Sequence, residues 1–280
     1  MRCAWQEYLN LLPLWLREPV DKLGRDHLQE LRLRCDLEPE LLLQNSRHCL
    51  NRKVTKEDLQ FCVNIASRYS PWAAQTTSNG YITAPGGHRI GLCGDAVVSN
   101  GKMTGFHAVN SLCIRVARDF PGIAAQTQKY QGSILLIGRP GSGKTTLLRD
   151  LIRQRSEKIN DCVAVVDERR EIFPLSGGYS CFSTGLRTDV LSGCSKCQGI
   201  DSVLRSMNPS VIAVDEITAK EDCDALLHAG WCGVQLLATA HAGSRYDLEN
   251  RPVYRPLIES KLFDTLLILR PDKSWYAERM

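Results

Sequence analysis

The hydrophobic and polar positions of this chain follow two different patterns. Up to about residue 125, short alternating runs are separated by glycine- and asparagine-rich turns, which is typical of antiparallel strands. Beyond that point, fully apolar runs alternate with helix-like segments, which indicates a mostly parallel sheet covered by helices on both faces. We therefore predict an α/β protein in which residues 1–125 form a smaller α+β domain and residues 126–280 form the parallel-sheet domain.

The first pattern predicts two helices, with two short strands between them and a meander of short strands after the second helix. Residues 4–16 form the first predicted helix. Thr55 and Asp58 have the spacing of a capping box that begins a second helix, and this helix ends near Arg68. Turn signals such as Asn100-Gly101 predict hairpins between the apolar runs. The predicted strands cover residues 30–34, 40–44, 81–83, 88–92, 95–98, 102–105 and 111–117.

The second pattern begins after Pro121 and Gly122, which interrupt the first one. It predicts five apolar strands, each followed by polar residues. Ligands of open parallel sheets bind at the carboxyl ends of the strands, so we expect the functional residues directly after these runs. The predicted strands cover residues 134–137, 163–166, 211–214, 234–238 and 265–269.

A glycine-rich turn follows the first of these strands and opens a leucine-rich helix. Gly138, Gly141 and Gly143 allow successive N–H groups to face an anion, and the helix directs its positive end to the same point. Lys144 is placed to contact the β- and γ-phosphates, and the Thr145 hydroxyl is placed to bind Mg²⁺. We predict a P-loop that binds ATP or GTP, with Lys144 facing solvent when no nucleotide is bound. The predicted nucleotide-binding residues are Gly138, Arg139, Pro140, Gly141, Ser142, Gly143, Lys144, Thr145 and Thr146.

Three further strands end in residues suited to phosphate chemistry. Asp215 and Glu216 end one apolar run, where we expect Asp215 to hold the water shell of Mg²⁺ and Glu216 to polarise the attacking water. Residues 167–171 carry three carboxylates at another strand end. Two interpretations stay open, a catalytic role and a solvated charge cluster. His241 follows a third run, where a neutral imidazole can bond the γ-phosphate or hold a carboxylate in place.

Composition narrows the class of protein. The chain has 280 residues, 43% hydrophobic and 24% charged, and no segment predicts a membrane span or a signal peptide. A formal net charge of +4 is too small to argue for nucleic-acid binding. Twelve irregularly spaced cysteines predict reduced thiols in the cytoplasm. Cys194 and Cys197 have the spacing of half a zinc site, but no second such pair completes it, so we do not predict zinc.

Longer motifs resemble the stage III sporulation protein AA family, bacterial P-loop ATPases similar to the secretion and pilus-retraction ATPases. The resemblance covers most of the chain and includes the P-loop. The other motifs are GYITAPGGHRIGLCG at residues 80–94, IRVAR at 114–118, VDERREI at 166–172, RTDVLSGC at 187–194, LRSMNPSVIAVDE at 204–216 and ATAH at 238–241.

The resemblance implies a RecA-like P-loop NTPase core that hydrolyses ATP with Mg²⁺. By comparison with the secretion ATPases, Glu171 is the general base and Glu216 its partner, whereas P-loop reasoning alone favours Glu216, so both stay candidates. His241 matches the histidine box of those enzymes. Asp215 departs from the glycine that they place before the second glutamate.

Two arginines near the predicted domain boundary are candidates for a further catalytic contribution. The P-loop, Lys144 and Mg²⁺ leave part of the γ-phosphate charge uncovered, and a guanidinium stabilises the charge that develops there. We predict this role for Arg115 and Arg118, with Arg89 in reserve. Alternation along a strand points the two to opposite faces, which leaves open that one of them is structural.

The resemblance also implies assembly and partners. It implies a homo-oligomeric ring, a hexamer, with nucleotide between the domains of the protomer. It further implies a cytoplasmic protein on the face of a membrane channel complex that joins the mother cell to the developing spore. Two other functions stay open. They are a nucleic-acid-handling ATPase, which salt-sensitive stimulation by single-stranded DNA would reveal, and a slow nucleotide-gated scaffold.

Overall fold

The computed structural model of the chain describes residues 1–43, 46–67, 77–78, 80–159, 161–176 and 179–280. It consists of two compact units, Met1–Asp119 with Pro174–Phe182, and Phe120–Phe173 with Ser183–Met280. The chain thus leaves the first unit at Asp119 rather than at residue 125, and a later segment joins that unit. Close packing holds this segment, because a Cβ on Gly87 would lie 3.2 Å from the Cβ of Cys181. Sequence order alone does not reveal such a return.

The first unit is built on a six-stranded sheet in which every paired strand is antiparallel to its neighbour. The strands lie in the order β3-β2-β1-β6-β5-β4. Their bounds are β1 Leu28–Arg34, β2 Glu40–Leu43, β3 Arg47–Cys49, β4 Tyr81–Thr83, β5 Arg89–Ser99 and β6 Lys102–Arg115.

One long hairpin, β5–β6, replaces the four short strands predicted over residues 88–117. Its turn is the predicted one, since Asn100 and Gly101 have φ values of 50° and 73°. Gly94 does not end a strand as a turn residue would. It lies at a bulge, where a Cβ would come within 2.0 Å of the Ala108 carbonyl oxygen. In the sequence, a glycine that close packing requires, such as Gly94, cannot be distinguished from a glycine that ends a strand.

Among the described residues of this unit, three α-helices pack against the sheet, at Trp5–Asn10, Leu14–Leu23 and Lys56–Ser67. The single helix predicted over residues 4–16 is divided at Pro13, which caps the second helix. The capping box is confirmed, since Asp58 N–H donates to Thr55 Oγ1 at 3.2 Å and Thr55 N–H donates to Asp58 Oδ2 at 3.0 Å. Arg68 lies outside the described residues.

The second unit contains a seven-stranded sheet in the order β11-β8-β12-β13-β7-β14-β15. All neighbours are parallel except β14 and β15. The five predicted strands are present, and the two unpredicted ones, β11 and β15, lie at the sheet edges. The bounds are β7 Ile134–Ile137, β8 Val163–Asp167, β11 Thr188–Ser192, β12 Val211–Ile217, β13 Gln235–Ala240, β14 Thr265–Leu269 and β15 Trp275–Arg279.

Among the described residues, five α-helices accompany this sheet. Between β8 and β11, the chain also contributes a short hairpin to the first unit. The hairpin consists of β9 Leu175–Ser176 and β10 Tyr179–Ser180. None of the helices in the described part of the chain combines the length and the apolar composition of a membrane span. The helices are Lys144–Ser156, Lys196–Ser206, Lys220–Trp231, Arg245–Glu249 and Arg255–Glu259.

Candidate functional site

The P-loop connects the fully buried strand β7 to the helix Lys144–Ser156. Gly141 and Gly143 have φ values of 77° and 96°, in the left-handed region that favours glycine. Gly138 is required for space instead, because a Cβ there would lie 2.5 Å from Ser142 Oγ. The three glycines thus permit a tight turn around the start of the helix, where free N–H groups favour an anion.

Lys144 is buried, with only 5% of its surface exposed. Its Nζ donates to the carbonyl oxygens of Gly138 at 2.8 Å and Arg139 at 3.1 Å, and it lies 3.1 Å from His241 Nδ1. Burial lowers the pKa of the ammonium, against the charges of Asp215 and Glu216. The prediction of a solvent-facing lysine is therefore wrong, because the loop folds back over the side chain and accepts its hydrogen bonds.

Thr145 and Asp215 lie side by side, although they are far apart in the sequence. Thr145 Oγ1 donates to Asp215 Oδ2 at 2.6 Å. The other carboxylate oxygen accepts from Glu216 N–H at 3.0 Å and from the hydroxyl of the buried Thr239 on the neighbouring strand β13. The result is a hydroxyl and a fixed carboxylate at the start of the P-loop helix, oxygen ligands of the kind that Mg²⁺ prefers.

Glu216 is held between a cation and an imidazole. Its Oε1 lies 3.0 Å from His241 Nε2, and its other oxygen pairs with Arg169. Burial alone would raise the pKa of Glu216, but the bond to His241 and the charges of Arg169 and Lys144 outweigh it and lower the pKa. The carboxylate is therefore ionised near neutral pH.

His241 bridges Lys144 and Glu216. Because the lysine ammonium only donates, Nδ1 accepts from it, and we assign the ring proton to Nε2, which donates to Glu216. The sequence left two contacts open for this imidazole, with the γ-phosphate or with a carboxylate. The contact present in the structure is the one with a carboxylate. The backbone of Glu216 is also unusual, with φ at 51° in the left-handed region.

The loop after β8 is ordered by buried contacts. Asp167 is 2% exposed, and its oxygens accept from Glu171 N–H at 2.9 Å and Phe173 N–H at 2.8 Å. Burial raises the pKa of Asp167 to about 6, although the backbone hydrogen bonds act against it. Arg149, on the P-loop helix, donates to the Glu171 carbonyl oxygen at 2.9 Å. These contacts do not fit a solvated charge cluster.

One small cavity collects the acidic residues at the ends of β8 and β12. Both candidate bases, Glu171 and Glu216, line it, so their position does not separate them. Five carboxylates face two cations there. The lining residues are Asp167, Glu168, Arg169, Glu171, Lys196, Asp215 and Glu216.

The predicted arginines belong to the first unit and contact that unit's own residues. Arg118 donates to the carbonyl oxygens of Arg25, at 2.8 Å, and Leu28, and burial lowers its pKa. Arg115, the last residue of β6, pairs with Glu30 at 3.4 Å, while its side chain is 61% exposed. Arg89 lies over the Tyr81 ring, 3.9 Å from its centre.

No cysteine of the described residues forms a disulfide bond, and Cys197 is exposed while Cys194 is half-buried. Among the residues that the structure describes, no group of three histidine, cysteine or acidic side chains is arranged to hold a metal ion. Thr145 and Asp215 would supply two oxygen ligands to Mg²⁺.

The P-loop residues fit a nucleotide phosphate. Ser142 Oγ is buried and has no hydrogen-bond partner within the described parts of the chain. A buried hydroxyl without a partner is costly, and a bound phosphate oxygen would satisfy it. Lys144 adds the positive charge, and Thr145 with Asp215 adds oxygens for Mg²⁺.

Sequence reasoning missed three residues that organise the site, namely Arg149, Lys196 and Thr239. Arg149 interrupts the leucine-rich P-loop helix, and Thr239 interrupts an apolar strand. A polar residue within an apolar run is the signal that indicates them. Lys196 gives no such signal, because it follows the helix cap Ser195, where an exposed lysine is ordinary.

Comparisons with known proteins agree with this architecture. A family model described as "Sporulation stage III, protein AA" matches residues 5–276. Stage III sporulation protein AA of Bacillus subtilis (strain 168) is 39% identical over 276 residues, which cover 94% of this chain and 90% of that protein. The uncharacterized protein ycf45 of Cyanidium caldarium is 34% identical over 247 residues, covering 84% of this chain and 68% of that protein.

Solved structures of other proteins share the fold. The Legionella pneumophila ATPase DotB has a TM-score of 0.55 at 17% identity, covering 96% of this chain and 80% of that one. The pilus retraction motor PilT with bound ADP has a TM-score of 0.61 at 15% identity, covering 91% and 77%. At such identities the likeness shows the fold alone, and it confirms the predicted RecA-like α/β class.

Proposed function

The chain belongs to the sporulation stage III protein AA family, and we propose that it is a Mg²⁺-dependent ATPase. The observation that carries the proposal is the continuous contact from the P-loop through Lys144 and His241 to Glu216, beside the Thr145–Asp215 pair. These side chains come from separate strand ends and meet at the carboxyl edge of the sheet, where nucleotide chemistry occurs in this architecture.

Each residue has a role that follows from its contacts. The P-loop N–H groups and Lys144 bind the β- and γ-phosphates, and Ser142 and Thr146 complete this cradle. Thr145 and Asp215 would hold Mg²⁺, which neutralises phosphate charge when bound. Glu216 or Glu171 orients the attacking water and takes up its proton, since both line the cavity beside Asp215.

His241 then has a positioning role in this proposal. Phosphate draws the Lys144 ammonium away from the Gly138 and Arg139 carbonyl oxygens, because a charged acceptor is stronger than a neutral one. His241 contacts both Lys144 and Glu216, so it transmits this change to the carboxylate.

We further propose, from the family resemblance, that the protein acts as a homo-oligomeric ring, a hexamer, at the cytoplasmic face of a membrane channel complex. Hydrolysis would power or assemble that complex. Arg115 and Arg118 stay candidates for stabilising the γ-phosphate charge. Normal hydrolysis by a double variant, Arg115→Ala with Arg118→Ala, would refute their role.

Phosphate release by the purified protein with ATP and Mg²⁺ tests the enzymatic proposal. We expect turnover that EDTA abolishes and that Lys144→Ala lowers by at least about 10²-fold, because a methyl group cannot replace the ammonium at the phosphates. Lys158→Ala, two residues beyond the same helix, is the control and should keep the parent rate. Parent-like turnover in Lys144→Ala would remove the basis of the proposal.

A further inference from the structure

Lys196 is a buried lysine beside the acidic cavity. It begins the helix Lys196–Ser206, and its side chain is 4% exposed. Its Nζ lies 2.6 Å from Glu168 Oε2 and 3.5 Å from Asp222 Oδ2. Burying an ammonium costs free energy unless it is paired with an anion. The two carboxylates therefore stabilise the buried lysine, and the three groups hold one another in position.

The three charged groups come from three neighbouring strand ends. Glu168 follows β8, and Lys196 follows β11. Asp222 lies in the first turn of the helix after β12, where its Oδ2 accepts from Thr218 N–H at 2.9 Å and Ala219 N–H at 3.2 Å. Because β11, β8 and β12 are adjacent in the sheet, one ammonium connects three consecutive loops.

The two candidate bases lie close to these contacts along the chain. Glu171 lies three residues after Glu168, and Glu216 lies near the end of β12, shortly before the Asp222 turn. Of the charged residues that line the cavity, the cations are Lys196 and Arg169, and Arg169 pairs with Glu216. Without Lys196 the carboxylates would repel one another with a single cation left among them, and the loops would separate.

We propose that Lys196 is a positioning residue for ATP hydrolysis, holding the loops of Glu171 and Glu216 together through Glu168 and Asp222. This inference rests on the proposed function of the site. Lys196 acts on carboxylates and not on the P-loop, so its loss should lower turnover and leave nucleotide binding unchanged. A small displacement of catalytic groups is enough to lower a rate strongly.

The test compares Lys196→Met with Lys196→Arg and with Lys220→Met as a matched control. Lys220 also begins a helix that follows a strand of this sheet, but it is exposed. In Lys196→Met we expect kcat to fall by at least about tenfold while KM for ATP changes by less than about twofold. Affinity for a fluorescent ATP analogue should match the parent. Lys196→Arg should recover most of the turnover, and Lys220→Met should not differ from the parent.

Glu168→Gln is the second variant, in case Lys196→Met does not fold. The Glu168 side chain is 37% exposed, so its amide is tolerated while the ion pair is lost. It should also lower kcat at constant KM. Parent-like kcat in the folded variants, or a fall in nucleotide affinity that accounts for the whole loss, would overturn the role of Lys196. A parent protein without ATP turnover would instead overturn the proposed function, and the role of Lys196 with it.

Discussion

One histidine in each of the two units contacts a different kind of partner. In the first unit, His88 Nε2 lies 2.9 Å from the Ala4 carbonyl oxygen, and its Nδ1 accepts from Ala117 N–H at 3.0 Å. In the second, His241 contacts two charged side chains, Lys144 and Glu216. Backbone partners are fixed by the course of the chain, whereas side-chain partners can exchange for a ligand. The contrast separates a histidine that maintains structure from one suited to chemistry.

The largest expected effect concerns the two candidate bases of the second unit. Glu171→Gln and Glu216→Gln keep the side-chain volume but cannot take up a proton. The true base should lose about 10²–10⁴-fold in kcat while ATP still binds. Single-turnover hydrolysis and nucleotide binding distinguish the two variants, and the exposed Glu221→Gln is the control. Equal, parent-like rates in both would exclude either carboxylate from this role.

The histidines provide the next comparison. His88 is fully buried and packs edge-on against Tyr8, with ring centres 5.0 Å apart. His88→Ala should destabilise the protein by about 4 kcal/mol, because it leaves a cavity and an unpaired Ala117 N–H. His241→Ala should lower kcat and cost less than about 1 kcal/mol of stability, because the ring is partly exposed.

Denaturant unfolding and ATP turnover, measured on both histidine variants, check this expectation. The reverse pattern, with a stable but inactive His88→Ala or an unfolded His241→Ala, would contradict the contrast between the two units.

The smallest expected effect is a pH dependence from His88. Burial lowers its pKa to about 4, below the ordinary value of 6.5. Between these values the unfolded state binds more protons, so the stability is complete above about pH 6.5 and falls as the pH decreases towards 4. At pH 5 the loss from this group is about 2 kcal/mol.

Asp167 acts in the opposite direction. Its pKa of about 6 in the folded protein exceeds the ordinary 3.8, so its contribution favours low pH and is lost as the pH rises through that interval. The His88 contribution is therefore measured as the difference in unfolding free energy between the parent and His88→Asn. A difference that stays constant from pH 7 to pH 5 would show that His88 does not titrate as proposed.

The sequence by itself determined the five inner strands of the parallel sheet and the position of the glycine-rich turn after the first of them. Several features have causes that act within a few residues. They are the five apolar runs, the capping box of Thr55 and Asp58, and the Asn100-Gly101 turn. Hydrophobic alternation, helix caps and positive-φ turns are local properties, so the pattern along the chain is sufficient to find them.

Only the tertiary structure decided which distant residues meet. Four features depend on contacts between separate elements. They are the burial of Lys144, the contact of His241 with Glu216, the ion pairs of Lys196 and the return of Pro174–Phe182 to the first unit. Such contacts depend on strand order and on the course of loops between strands, which no short stretch of sequence specifies. The edge strands β11 and β15 escaped prediction for a related reason, because an edge position relaxes the apolar pattern that burial imposes on central strands.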